Sequence, residues 1–314
     1  MSSRSNRKSK KAGPGFGPFV FNVYKPEGMT SSDALRHFKY HLPKGFGKIG
    51  HFGTLDPFAE GVLLVAIGQA PRFNNYIHDQ FPKTYLATGV LGLESPTGDL
   101  TANEEEIKEV DCPEFTEEQL VKIMNEFLGE YDQCPPAFSA TKHEGRPLYE
   151  WAREGVIIEK PPVRRFISAI ELVKLEGRVV TFRVTSSSGT YIRVLFEDIA
   201  KKLGTHGALR NLVRESIGPA HISSAITKEN WPIRDADYSV TDNATRIDNF
   251  LNFPKIDLEE FEAVKFFNGL PMLKEGESGY CWGLFEGQLL GLAEIEDNLL
   301  RVRVGFGVDP REKN

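Results

Sequence analysis

The sequence predicts a mixed α+β fold followed by a small β unit. Three observations lead there. Between residues 19 and 230, short apolar strands alternate with segments of helical periodicity. The texture changes over 232–250, which is polar and turn-rich. From Phe253 on, short strands are split by tight turns at Glu286-Gly287 and Asp297-Asn298. A chain of 314 residues suits two such domains.

Phe19 to Tyr24 reads as a strand and Lys25 to Met29 as a turn, since Pro26 and Gly28 both interrupt regular structure. Thr30, Ser31 and Ser32 offer caps for a helix to about His41. The glycine-rich Lys44–Gly50 stretch lacks the Gly-Lys-Ser/Thr ending of a phosphate loop. Val62 to Ile67 is a buried strand, Ala70 to Asp79 a helix and Lys83 to Gly92 a strand. Ser95 to Thr101 is a polar loop, and Thr116 caps a helix to about Leu128.

Residues 133–163 carry Pro135, Pro136, Pro147, Pro161 and Pro162, which predicts an irregular, exposed region with a short helix near Leu148 to Glu154. Arg164 to Leu175 and Arg178 to Ser187 form two strands joined at Glu176-Gly177. Ile192, Leu195, Ile199 and Leu203 share one face of a helix that Gly204 ends. Tyr280 to Phe285, Gln288 to Glu294 and Leu299 to Phe306 are the strands of the C-terminal unit.

Composition narrows the function classes. Hydrophobic residues make up 40% and charged residues 26%, as in an ordinary globular protein. No apolar run approaches the roughly 20 residues that span a bilayer. Residues 1–18 form a basic, acid-free tail with Arg4, Arg7, Lys8, Lys10 and Lys11, expected to be disordered, and without the apolar core of a secretory signal. Cys112, Cys134 and Cys281 make neither a metal-ligand spacing nor a disulfide framework, which suits a reduced, cytoplasmic protein with no metal. A net charge of −6 argues against a generic nucleic-acid binder, but much of the acidity is local to Glu104–Glu118.

The most informative stretch is His51-Phe52-Gly53-Thr54-Leu55-Asp56-Pro57-Phe58-Ala59-Glu60-Gly61. Gly53 opens backbone angles closed to other residues and Pro57 fixes the angle after Asp56, so a carboxylate is held on a short loop beside a buried strand. Taken alone, Leu55-Asp56-Pro57 reads as a helix cap. Around 133–165, Lys142, His143, Arg146, Arg153, Lys160, Arg164 and Arg165 interleave with Phe138, Tyr149 and Trp151. Cations for phosphates with aromatics for bases suit RNA, and a solvated loop with a few anchors reads equally well from these residues alone.

The whole string at 51–61 resembles the active-site loop of the TruB family of pseudouridine synthases. Lys25-Pro26-Glu27-Gly28-Met29-Thr30-Ser31 is similar to that family's first motif, and Lys83-Thr84-Tyr85 to its basic-x-Tyr motif. Pro135–Ala140 and Gly145–Tyr149 resemble its substrate-gripping segment, Ser188–Arg193 its fourth motif, and Leu209–Arg214 its fifth. Pro71-Arg72 departs from the more usual Thr-Arg. Asn268–Pro271 and Gly287–Gly291 carry a fainter likeness to a PUA domain, beside which a plain β packing module stays open.

The resemblance implies a largely antiparallel pseudouridine synthase fold over 19–235, an RNA-gripping region at 133–165, a linker at 236–252 and a PUA-like RNA-binding domain at 253–314. It implies conversion of a uridine in the T loop of tRNA, position 55, to pseudouridine, with no cofactor, no metal and no membrane. It assigns the essential carboxylate to Asp56, its cationic partner to Arg193, and base stacking with a possible proton transfer to Tyr85. Tyr191 would hydrogen-bond near the carboxylate, Leu212 would close the apolar wall, and His51 and Lys25 would touch the RNA. A flipped uridine needs such an aromatic and apolar pocket. Alone, each of these residues reads more simply as core or surface. The family's stand-alone form implies a monomer that works without guide RNA. A non-catalytic RNA-folding protein and a guide-RNA particle subunit are the rivals.

Overall fold

The structure, a computed structural model, describes residues 17–234 and 240–311. Most of the expected basic tail therefore lies outside the described residues. The N-terminal part runs β1 (Phe19–Lys25), α1 (Ser31–His41), β2 (Lys48–His51), β3 (Glu60–Gly68), α2 (Asn74–Gln80) and β4 (Lys83–Leu91). Two short strands, β5 (Leu93–Glu94) and β6 (Lys108–Glu109), precede α3 (Glu117–Asn125) and β7 (Gly129–Gln133). A small hairpin, β8 (Lys142–His143) and β9 (Arg146–Pro147), leads into α4 (Leu148–Arg153). Then come β10 (Val163–Glu176), β11 (Val179–Ser186), α5 (Ile192–Lys202), β12 (Gly207–Ile217) and β13 (Ala220–His221). After α6 (Val240–Asn243), β14 (Thr245–Arg246) and α7 (Ile247–Phe250), the C-terminal unit holds β15 (Lys255–Asp257), α8 (Glu260–Phe267), β16 (Met272–Leu273), β17 (Gly279–Phe285), β18 (Gln288–Glu296) and β19 (Leu299–Gly305).

One large sheet carries the order β14-β1-β3-β12-β4-β11-β10-β7, with β2 on β3 and β13 on β12. Among the described strand pairs of this sheet, β12–β3 is the parallel one, through Val213 and Arg214. The largely antiparallel sheet expected from the resemblance is thus present. Burial explains the sequence texture strand by strand. β3 is buried on both faces: Val62, Leu64 and Ala66 enter one core cluster, and Leu63, Val65 and Ile67 another that includes Phe38 of α1. A doubly covered strand has no need of polar alternation. β4 alternates instead, with Tyr85, Ala87 and Leu91 turned into a third cluster beneath α3 and α5.

The packing of α5 fixes where its first turn lies. Phe196 stacks on Phe182 with ring centroids 5.7 Å apart, in space left by two glycines. A Cβ at Gly89 would stand 2.2 Å from the Phe196 ring, and one at Gly207 would stand 2.8 Å away. The helix therefore lies close against β4 and β12.

The C-terminal sheet, β15-β17-β18-β19-β16, has its own core with α8. It also shares a core with the large domain. Trp282, fully buried, lies 5.4 Å from Phe73 between ring centroids, and Leu289, Leu292 and Val304 join the same cluster as Val62 and Ile77.

Several expected elements differ. The helix expected over Ala70–Asp79 is a 3-10 turn, Ala70–Phe73, followed by α2, with Pro71 in the turn's first positions. The helix after Thr116 ends at Asn125. The stretch expected as irregular holds the β8–β9 hairpin as well as α4. β7, β12 and α8 were not anticipated. Of the stretch expected as a linker, residues 236–239 lie outside the described residues, and the rest is not a plain connector: β14 pairs with Phe19 and Val20, and Ile247 and Phe250 are buried. Among the described residues no helix is long and apolar enough to cross a membrane.

Candidate active site

The loop from Phe52 to Ala59 leaves β2 and returns to β3, anchored by three buried side chains, Phe52, Leu55 and Phe58. Between those anchors Asp56 is half-buried. Polar groups hold the loop backbone from below. Arg214, fully buried on β12, donates from Nε to the Val62 carbonyl at 2.7 Å, from Nη2 to Gly53 at 3.1 Å and from Nη1 to Thr54 at 3.3 Å. Gly61 has φ +105° where β3 passes this strand, and a Cβ there would lie 2.4 Å from the Arg214 carbonyl oxygen. Only glycine fits so close a backbone approach.

On the other side Ser31 clamps the residue before Asp56. Its Oγ accepts from the Leu55 N–H at 2.9 Å and donates to the Leu55 carbonyl at 3.0 Å. The capping of α1 is done by Thr30 with Asp33, which leaves the Ser31 hydroxyl for this task. Gly28 N–H donates to the Pro57 carbonyl at 2.8 Å.

Lys25, expected at the RNA, is instead fully buried under the loop. Its Nζ donates to the carbonyls of Met29 at 2.7 Å, Pro26 at 2.9 Å and Pro57 at 3.4 Å. Burial above all, with the nearby Arg214 charge, draws its ammonium down to about 8. The correction has a plain cause: a short turn closes over the side chain and supplies backbone acceptors.

Arg193, in the first turn of α5, faces Asp56. Its Nε lies 3.0 Å from Asp56 Oδ2. The same guanidinium donates from Nη2 to the Phe138 carbonyl at 3.0 Å and from Nη1 to the Thr97 carbonyl, and lies 3.6 Å from Asp99 Oδ2. Asp99 is buried, and its Oδ1 accepts from Thr101 Oγ1 at 2.6 Å, Thr97 Oγ1 at 2.9 Å and Thr101 N–H at 3.0 Å. Arg193 therefore ties together the 52–59 loop, the 95–101 loop and the segment around Phe138. Asp99 is the only acid in its loop, and the Thr97-Gly98-Asp99 turn composition was the one signal for it.

Tyr85 and Leu212 come together in the structure. Leu212 pairs with Ala87 across β12 and β4, diagonal to Tyr85. Both are buried in the cluster that contains Leu55, Phe58 and Ile192. Tyr191 precedes α5, and Gln133 caps the helix there: the Tyr191 N–H donates to Gln133 Oε1 at 2.7 Å, and Gln133 Nε2 donates to the Tyr191 carbonyl at 3.0 Å. The Tyr191 hydroxyl, expected beside the carboxylate, hydrogen-bonds Thr141 Oγ1 at 3.0 Å instead. It fastens the segment around Thr141 to the start of α5. His51 ends β2, with a buried Nδ1 that has no partner. Burial, then the Arg214 and Lys83 charges, draw it down to about 4, so its ring is neutral near pH 7.

The expected basic face at 133–165 is partly neutralised. Arg146 pairs with Glu150 at 2.8 Å and with Glu154, and lies over the Trp151 ring at 4.9 Å. Arg164 pairs with Asp132 at 2.6 Å and Glu130 at 2.5 Å. Lys142 and Arg153 are exposed.

The family pattern described as TruB family pseudouridylate synthase (N terminal domain) matches residues 39–192. The chain is 40% identical to a tRNA pseudouridine synthase B of Thermotoga maritima, covering 89% of this chain and 90% of that one. It is 38% identical to the protein of that name in Caldanaerobacter subterraneus, over 80% and 84%. A chain of a Cbf5-Nop10-Gar1 complex superposes with a TM-score of 0.65 at 24% identity, covering 92% of this chain and 84% of that one. A chain of an H/ACA RNP bound to a substrate RNA containing 2′-deoxyuridine gives 0.64 at 22% identity, covering 93% and 86%. These two likenesses speak for the fold, a pseudouridine synthase domain followed by a small PUA-like β domain. With relatives this similar along nearly its whole length, the chain belongs to the TruB family of pseudouridine synthases.

Proposed function

We propose that this chain converts a uridine in the T loop of tRNA, at position 55, to pseudouridine, with Asp56 as the essential carboxylate. One observation carries the reading: a half-open carboxylate paired at 3.0 Å with a buried arginine, beside the buried Tyr85 and Leu212. The tRNA comes from the name its relatives bear, tRNA pseudouridine synthase B.

The reaction is an isomerisation. The C1′–N1 bond breaks, the base turns, and C1′ joins C5. The C5 proton leaves to solvent and N1 gains one, so atoms balance without a redox partner. Asp56 acts at the sugar or base, and Arg193 positions it through the 3.0 Å pair. Tyr85 lies beneath the flipped base and Leu212 closes the wall. Residues 19–235 form the catalytic unit, and residues 253–314 act as a PUA-like RNA-binding unit. The protein is a cytoplasmic monomer in this reading.

A stand-alone enzyme is favoured over a guide-RNA particle subunit because the relatives near 40% identity carry the tRNA name. The test is incubation of the purified chain with unmodified tRNA and no guide RNA, followed by mapping of pseudouridine. Modification confined to the T loop is expected. Bound tRNA left unmodified would instead favour an RNA-folding protein or a missing particle.

A further inference from the structure

Beside the Asp56–Arg193 pair, the catalytic loop rests on a second set of polar groups that this chemistry does not use. Lys83 opens β4, two residues before Tyr85 and on the same face, and is 4% exposed. Its Nζ lies against the loop, since a Cβ at Gly53 would stand 2.7 Å from it. Among the described residues this ammonium makes no hydrogen bond and no ion pair. The charged groups that act on it are Arg214 from β12 and Arg165 from β10, both cations. His51 from β2 and His78 from α2 complete its surroundings, and each feels Lys83 and Arg214 as repulsive neighbours. Burial first, then those two arginines, draw Lys83 down to about 7.

Other polar groups without a partner lie on and beside the neighbouring strands. Ser186 pairs directly with Lys83 across β11 and β4, and its buried Oγ has no partner. The buried Ser188 Oγ, Arg165 Nε and His51 Nδ1 have none either. Arg165 Nη1 donates to the Ser188 carbonyl at 3.3 Å, and its guanidinium covers Gly189, where a Cβ would lie 3.1 Å from it. Gly53, Arg165 and Ser188 are only partly buried, so the seam between the catalytic loop and the end of β10–β11 opens to solvent. Burying a cation without an acceptor is unfavourable. Hydroxyls and N–H groups without acceptors, ringed by cations, complement an oxyanion.

We propose that this seam is an anion site in which Lys83 and Arg165, with the Ser186 and Ser188 hydroxyls, hold a phosphate of the bound RNA beside the flipped uridine. The assignment rests on the RNA reading of the site. An inorganic phosphate ion has the same chemistry, and the experiment separates the two sources. Because the free ammonium is close to neutrality at pH 7, the bound anion draws a proton onto Lys83, and binding weakens as pH rises above about 7.

The experiment measures affinity for unmodified tRNA in the Asp56→Asn background, against salt and against pH. Lys83→Gln and Arg165→Gln are compared with that parent. Each is expected to weaken binding about tenfold and to reduce the slope of log K against log salt by about one. Lys83→Gln should also lose the fall in affinity above pH 7. Arg165 lies at the partly exposed rim, so its variant tests the site even if Lys83→Gln folds poorly. Unchanged affinity and salt slope in both variants would overturn the proposal, even if turnover fell, because Lys83 would then only prop the loop. Saturable inorganic phosphate binding, read by the Lys83 Nζ resonance, with no change in RNA affinity would overturn the RNA assignment. Failure of the parent to bind tRNA at all would reject the functional reading itself, and phosphate alone would then test the anion site.

Discussion

Arg193 Nε meets Asp56 Oδ2 at 3.0 Å, and the two ends of that pair are unequal: the arginine side chain is 5% exposed and the aspartate 35%. The cation is fixed by two carbonyls and lies near buried Asp99, while the carboxylate keeps an open side. Removing the cation therefore leaves one carboxylate buried with its neutral hydrogen bonds alone. Arg193→Met should destabilise the fold by about 3–5 kcal/mol, the usual cost of breaking a buried pair from one side. Arg193→Met with Asp99→Asn should recover part of that loss. Urea unfolding of the wild type and the two variants measures both.

Ser31 acts on Asp56 through the backbone of Leu55. Ser31→Ala deletes the clamp but leaves the Thr30–Asp33 capping box that starts α1. Two hydrogen bonds to a buried backbone contribute about 1–3 kcal/mol. Turnover should fall about tenfold or more at the usual tenfold per 1.36 kcal/mol, with tRNA affinity nearly unchanged. Single-turnover kinetics beside equilibrium binding separates the two. An equal loss in both would assign Ser31 to substrate binding.

Acid should weaken this protein through two buried histidines. Burial draws His51 and His78 from 6.5 to about 4. Between those values the unfolded chain binds more protons than the folded one, so stability is lost as pH falls from about 6.5 toward 4. His51→Gln with His78→Gln should flatten most of that loss. Urea midpoints at about pH 7 and pH 5 check it.

The C-terminal unit is coupled to the catalytic one through Trp282. Its ring contacts Phe73, Phe253 and Phe306. Trp282→Ala should destabilise the protein by about 3–5 kcal/mol. Loss of a single cooperative transition in favour of two would show that the units are held together mainly by this contact.

Asp56, Arg193, Tyr85 and Leu212 were legible because they stand in short motifs that occur in family order, and the fold brings them together. Asp99 and Gln133 lie outside those motifs, and Ser31 and Arg214, though inside the first and fifth, carried no sign of their role, because Ser31, Arg214 and Gln133 act through space on backbone groups far away in sequence. Arg214 is the clearest case: it is 152 residues from the Val62 carbonyl it holds. The same residue hides its strand. β12 runs through Arg210, Asn211, Arg214 and Glu215, so no apolar alternation announces it, and bulges at Leu209–Asn211 and Arg214–Ser216 shift its register. Lys25 was misplaced for a related reason, since sequence shows a lysine beside a turn but not the three carbonyls that close over it.

The central claim is that Asp56 carries the chemistry, and tritium release from tRNA labelled at uridine C5 tests it most directly. The purified protein should release tritium, and Asp56→Asn should release none while binding the same tRNA with similar affinity. Release by Asp56→Asn at the wild-type rate would contradict the account.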